Sequence, residues 1–305
     1  MTRRNLVVAR VGMTSLHPRW LDRPYPRRTF DLLLSFYSAE AFAAFLPSEG
    51  VAAVLVPGGK FDGLFTTFAG VDLDRYDYVW LPDDDIDTNS ETIDAIFALC
   101  RSHGLAVAQP SLTRDSFYSF FLLQRCPGFR LRYTNFVEVM VPCLRTDLLR
   151  RVMPLFEDHM SGWGLDYVWC RMPESGAGKC AILDAVSVHH TRPVGKVLKS
   201  VVVARGGRTP EEEQQRLFRR VGMVGAQGPV AFAGLRRCGI RVAGQGLMSL
   251  LMAASWMRDL YRFPDPRAAF KAIRHEYRRH RPQTFDTSPL TIDAPDLSPT
   301  DVSRP

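Results

Sequence analysis

At 305 residues the chain is long enough for about two domains of ordinary size, and it can bury its own core without disulfide or metal staples. With 46% hydrophobic and 23% charged residues, 22 Gly and 21 Pro, it is not a mainly disordered, collagen-like or coiled-coil chain. The net charge of +7 is unevenly spread: 15 Lys or Arg stand against 6 Asp or Glu between 206 and 282, while the chain before 206 is close to balanced.

The N-terminal apolar run, 6–11, is too short for a signal peptide, and no apolar stretch reaches the roughly 18 residues of a membrane span. The six cysteines, at 100, 126, 143, 170, 180 and 238, form no Cys-x-x-Cys pair and read as reduced, mostly buried thiols. Together these features predict a cytoplasmic protein.

Compact apolar runs at 5–12, 30–37 and 51–56 read as buried strands, with helical spacing at 39–46 and 61–68 between them. That alternation predicts a mixed, mostly parallel α/β sheet flanked by helices. A fourth strand at 76–81 runs into Pro82 and three carboxylates, Asp83, Asp84 and Asp85. A helix follows, capped by Asn89 or Ser90, with Ile93, Ile96, Phe97 and Cys100 on one face and Gly104 as its stop.

A fifth strand is expected at 105–109, a longer one within 130–144, a helix at 147–156 and a last strand at 181–188. Beyond 206 the pattern turns helical, at 210–221, 242–261 and 266–280, and from 282 the Pro-, Asp- and Ser-rich tail reads as disordered. The expected organisation is a catalytic domain over 1–205, a basic helical extension over 206–282 and a tail over 283–305.

Three adjacent carboxylates behind a buried strand repel one another, so a cation is expected among them. They fall at the carboxyl end of a strand, where open α/β sheets bind ligands. Hard carboxylate oxygens suit Mg²⁺ or Mn²⁺, ions that also bind substrate phosphates. The alternative is a solvated acidic turn favoured by the following helix dipole.

In Gly162-Trp163-Gly164-Leu165-Asp166, the glycines allow close backbone approach, Trp163 offers a platform for a sugar ring, and Asp166 is a candidate base. Read structurally, the same segment is a tight turn with a core Trp. His189 and His190 end a strand, so alternation sends only one of them toward the crevice. His190 is a candidate metal ligand, and Arg192 a candidate phosphate partner. Gly58-Gly59-Lys60 is not a Walker loop, although Lys60 alone can reach a diphosphate.

Four ordered segments, YDYVWLPDDDI at 76–86, RYTNFVEVMV at 132–141, SGWGLDYVW at 161–169 and DAVSVHHTRPVG at 184–195, resemble a domain family of unknown function. That family is in turn similar to the GT-A class of nucleotide-sugar glycosyltransferases. The resemblance covers about residues 5–200. It implies Asp85 as metal ligand with His190, Asp83 beside the donor ribose or sugar with Asp84 adjacent, and Asp166 as the base of an inverting reaction.

Where such enzymes commonly carry Glu-Asp, this chain has Leu165-Asp166 and lacks one carboxylate. By position, Arg10, Val11 and Gly12 at the end of the first strand, and Ser35 to Tyr37 at the end of the second, fall at the nucleotide pocket. Glu138 is either a donor-sugar contact or an internal ion-pair partner.

The expected activity is metal-dependent sugar transfer from a nucleotide-diphosphate donor to a glycan or lipid-linked acceptor. A metal-dependent phosphohydrolase and a non-catalytic nucleotide- or sugar-binding module are the alternatives. In the basic extension, Leu247, Leu250, Leu251, Trp256 and Met257 with flanking arginines fit either a packed amphipathic helix or peripheral contact with the inner face of a membrane. No nucleic-acid-binding signature is present.

Overall fold

The computed structural model describes residues 4–157, 159–176, 178–194, 208–226, 228–279, 288–290 and 292. Its strands are β1 (Asn5–Val11), β2 (Phe30–Phe36), β3 (Val51–Leu55), β4 (Tyr78–Trp80), β5 (Ile86–Asp87), β6 (Val107–Leu112), β7 (Phe129–Thr134), β8 (Cys143–Arg145), β9 (Cys180–His190), β10 (Ala231–Arg236) and β11 (Arg241–Ala243). The helices are α1 (Ala39–Ala43), α2 (Phe61–Phe68), α3 (Ser90–Ser102), α4 (Thr146–Val152), α5 (Leu165–Val168), α6 (Pro210–Arg220), α7 (Gln245–Arg258) and α8 (Pro266–Arg279).

The sheet runs β11-β10-β7-β9-β6-β8-β4-β1-β2-β3, and β5 is added to β9 off this path. Strands β3, β2, β1 and β4 are parallel neighbours. β8 lies antiparallel between β4 and β6, and β6 pairs in parallel with β9. β4, β6 and β9 therefore point the same way, and the residues after β4 emerge at the same sheet edge as the end of β9. The α/β architecture with flanking helices and a helical C-terminal extension is the one the hydrophobic pattern predicts.

Local signals account for most elements. β1 and β6 are buried along their whole length, as strands in the middle of a sheet covered on both faces are. Asn89 caps α3 by accepting from the Thr92 N–H, and Gly104, at φ +59°, ends its C-terminal turn. Thr209 and Glu212 form a capping box at the start of α6. Trp20, Trp80, Trp169 and Trp256 are all but fully buried in one continuous core.

Two expectations are corrected. The stretch 130–144 is not one long strand but β7 and β8 joined by a buried loop, 135–142. Its backbone groups bond outside the sheet ladder: the Leu81 N–H reaches the Pro142 carbonyl, and the Asp83 N–H reaches that of Met140. Apolar residues on both sides of this loop are buried by neighbouring segments, which imitates strand alternation.

The stretch beyond 206 is not purely helical either. β10 and β11 form a hairpin turning at Gly239 (φ +87°), and β10 pairs with β7, covering what is otherwise an exposed strand edge. β11 and Gly244 (φ +98°) consequently delay the next helix to Gln245. Within the expected disordered tail, Leu290 and Ile292 are buried, and the Leu290 N–H donates to the Arg171 carbonyl. Residues 283–287, 291, 293–305 and 195–207 lie outside the described residues. No helix among the described residues is long and apolar enough to cross a membrane.

Candidate active site

β5 turns the chain after the three aspartates antiparallel to the end of β9, pairing Ile86 with His190. The Thr191 N–H and hydroxyl both donate to the Asp85 carbonyl, at 3.2 and 2.8 Å. This pairing gathers Asp83, Asp85 and His190 so that one ligand atom from each lies within 4.8 Å of the others. Alternation selects His190 over His189, which faces Asp115 instead at 3.9 Å.

His190 Nδ1 lies 3.0 Å from the Phe117 carbonyl, which can only accept, so that nitrogen carries the proton. Nε2 then faces Asp85 Oδ2 at 3.2 Å. Two lone pairs this close require a positive charge between them, either a proton or a metal ion. Without an ion, burial pushes the imidazole pKa down, but the hydrogen bond and charge of Asp85 outweigh it, and the net direction is upward. Asp85 Oδ1 is buried with no hydrogen-bond partner. That orphaned oxygen and the O, O, N donor set fit Mg²⁺ or Mn²⁺.

Asp84 points elsewhere, accepting from the Gly12 N–H at 3.1 Å, the Tyr37 hydroxyl at 3.3 Å and Arg192 Nη1 at 3.0 Å. Burial pushes its pKa up against the pull of Arg192. Arg192 also bonds Thr14, so the expected phosphate partner ties together the floor of the crevice. A Cβ at Gly12 would stand 2.2 Å from the Tyr37 oxygen, so a larger residue there requires the Tyr37 ring to move off Asp84.

Lys60 Nζ donates to Asp83 Oδ1 at 2.5 Å and to the Val139 carbonyl at 2.6 Å, which makes it a staple on the first aspartate. Even so, burial holds the Asp83 pKa above the usual range.

Arg10, Val11 and Ser35, expected at the nucleotide pocket, are turned into the core. Arg10 donates to Ser35 and to the Gly58 and Gly59 carbonyls, fixing the loop that leads into α2. A cation buried this way orders the loop, with three of its five N–H donors committed to it and to Ser35. Val11 is completely buried.

The 159–166 loop is held from two sides. Gly162 (φ +79°) lies against the Phe61 ring, where a Cβ would stand 2.2 Å away. The buried Glu213 of α6 accepts from the N–H groups of Met160 (2.9 Å) and Ser161 (2.8 Å). This leaves Trp163 half-buried and Asp166 at the first turn of α5, where the Asp166 carbonyl accepts from Val137 N–H. Burial, then the charge of Glu138, pushes the Asp166 pKa well above the carboxylate range.

Glu138, in the 135–142 loop, is 5% exposed. Oε1 accepts from Ser119, the backbone N–H donates to Gln109 Oε1 at 2.6 Å, and Oε2 has no partner. Burial raises its pKa to about 7, and it feels the charges of Asp83, His190 and Lys60 as well as influencing Asp166. Among the described residues no Arg or Lys forms a salt bridge with Glu138, and Lys60 acts on it only through its charge.

The native state therefore keeps a proton between pH 4.5 and 7 that the unfolded chain has lost, and stability falls as pH rises through this window. In metal-free urea unfolding, Glu138→Gln is expected to shrink the loss of stability between pH 5 and 8 by about 2 kcal/mol. An unchanged pH dependence would remove this residue from the buried carboxyl set.

No protein-family model and no curated protein matches the chain, so the likeness to a domain family of unknown function rests on the four sequence segments alone. Solved structures do match. S. aureus TarS 1-349 in complex with UDP-GlcNAc aligns with TM-score 0.51 and 10% identity, over 91% of this chain and 72% of that one. GalNAc-T7 with UDP, GalNAc and Mn²⁺ aligns with TM-score 0.51 and 9% identity, over 72% of this chain and 48% of that one, so the match spans about half of that protein.

The fold is GT-A-like. At these identities the likeness concerns the fold, and the chemistry has to be argued from the side chains.

Proposed function

We propose that the chain is a metal-dependent glycosyltransferase that moves a sugar from a nucleotide-diphosphate donor to a glycan or lipid-linked acceptor, with inversion. The observation that carries this reading is the Asp83/Asp85/His190 cluster, with its orphaned Asp85 oxygen, at the carboxyl edge of a GT-A-like sheet.

Asp83, Asp85 and His190 would hold Mn²⁺ or Mg²⁺, with the Phe117 carbonyl fixing the imidazole so that Nε2 stays available. When bound there, such an ion would supply positive charge against the charge that develops on a diphosphate leaving group. Asp84 shapes the crevice through Gly12, Tyr37 and Arg192, and Trp163 supplies the surface for a sugar ring. Asp166 takes the proton from the acceptor hydroxyl. Its elevated pKa makes it a stronger base once ionised, so turnover rises toward alkaline pH.

Calorimetric titration with a panel of nucleotide diphosphate sugars, with and without Mn²⁺, tests the reading. At least one donor is expected to bind only with the ion and to release nucleotide only when an acceptor is added. Release without acceptor indicates a phosphohydrolase, and binding without any release a non-catalytic module.

A further inference from the structure

We propose that the outward faces of α7 and α8 form a docking surface for an anionic lipid bilayer, an interaction independent of the transferase reading. On α7, Met248, Met252 and Trp256 are buried against the sheet domain. Leu247, Leu250, Ala254 and Met257 are all exposed and fall within an arc of about 80° at 3.6 residues per turn, on the other side of the helix. Leu250 is 55% exposed. A soluble surface helix normally carries polar residues there.

The neighbouring helix supplies the charge. α8 packs beside α7, with Ser249 Oγ donating to the Tyr277 carbonyl. It buries Ala269 and Ile273 and exposes Phe270 and Tyr277 among Arg267, Lys271, Arg274 and Arg278. Its one acid, Glu276, is buried and paired with Arg279, and Asp265, just before the helix, is the nearest acid in sequence to Arg267, so the helix's exposed face carries a net positive charge. An apolar stripe beside aromatic rings and four cations has the chemistry of an interfacial helix pair, with cations at headgroup phosphates and side chains in the acyl boundary.

Charge also decides between occupants. In a symmetric dimer formed through this face, the four cations of one copy would be set against those of the other, and like charges across an interface are costly. A nucleic acid would match the cations but leave Leu247, Leu250 and Met257 in water. An anionic bilayer satisfies both.

Co-sedimentation of the full chain with vesicles tests this. The chain is expected to pellet with phosphatidylglycerol-containing vesicles, to remain in solution with pure phosphatidylcholine, and to be released by high salt. Arg274→Glu with Arg278→Glu should weaken binding roughly tenfold or more, each cation contributing near an anionic surface.

Leu250→Glu with Met257→Glu should also abolish pelleting. These side chains are exposed, so both double variants should melt like the parent. Should the apolar variant fail to fold, the charge variant decides alone. Equal binding to neutral vesicles, no binding to either, or a parent dimer broken by Leu250→Glu would overturn the proposal.

Discussion

Asp166→Asn is expected to leave Mn²⁺-dependent donor binding intact while lowering turnover by about 10²–10⁴-fold, the usual contribution of a positioned base. Asn keeps the size of the side chain and can still accept from the Tyr167 N–H, which bonds Asp166 Oδ1 at 3.0 Å. It cannot take a proton. Asp85→Asn should do the opposite, removing a ligand charge beside His190 and with it the metal dependence of donor binding, before chemistry is reached.

Calorimetry for binding and product release for turnover separate the two. Equal loss of binding in both variants would sink the assignment of Asp166 as base. Glu138 adds a check, because loss of its charge should bring the Asp166 pKa down and move the alkaline rise in turnover to lower pH.

Asp184→Ala is expected to cost about 3–5 kcal/mol, because it leaves a buried guanidinium without its counter-charge. Arg132 and Asp184 are both fully buried, joined through Nε–Oδ2 at 2.7 Å and Nη2–Oδ1 at 2.9 Å. Arg132 also donates to the Leu122 and Gln124 carbonyls, and Asp184 accepts from the Cys126 N–H. The pair locks β7 to β9, the strand that ends in His190. Urea unfolding should show the loss, and Arg132→Met with Asp184→Leu should be more stable than Asp184→Ala alone, since it leaves no orphaned charge. A loss below about 1 kcal/mol would mean that water or a rearranged loop solvates Arg132.

The candidate site was partly written in local sequence. An apolar strand followed by Pro82 and three aspartates announces a charged turn at a strand's carboxyl end, and strand alternation allows only one of His189 and His190 to face inward. What neighbouring residues cannot encode is which aspartate points where. β5 pairing sets Asp83 and Asp85 toward His190, while Asp84 turns to Gly12, Tyr37 and Arg192, residues 72, 47 and 108 positions away. Arg10 and Lys60 read as ligand contacts for the same reason: a lone cation's partner is invisible until the chain folds.

The sequence alone determined the period of each element, its caps and the uneven charge, because these depend on residues within a turn or two of one another. The tertiary structure decided what depends on long-range pairing. It broke 130–144 into two strands by drawing the backbone of 135–142 into bonds with the loop after β4. It also recruited β10 and β11 to cover the edge of β7, and raised the pKa of Glu138 and Asp166 by removing water that no local pattern records. Burial and cross-strand register are properties of the packed molecule, and at this site they set the charge each group carries.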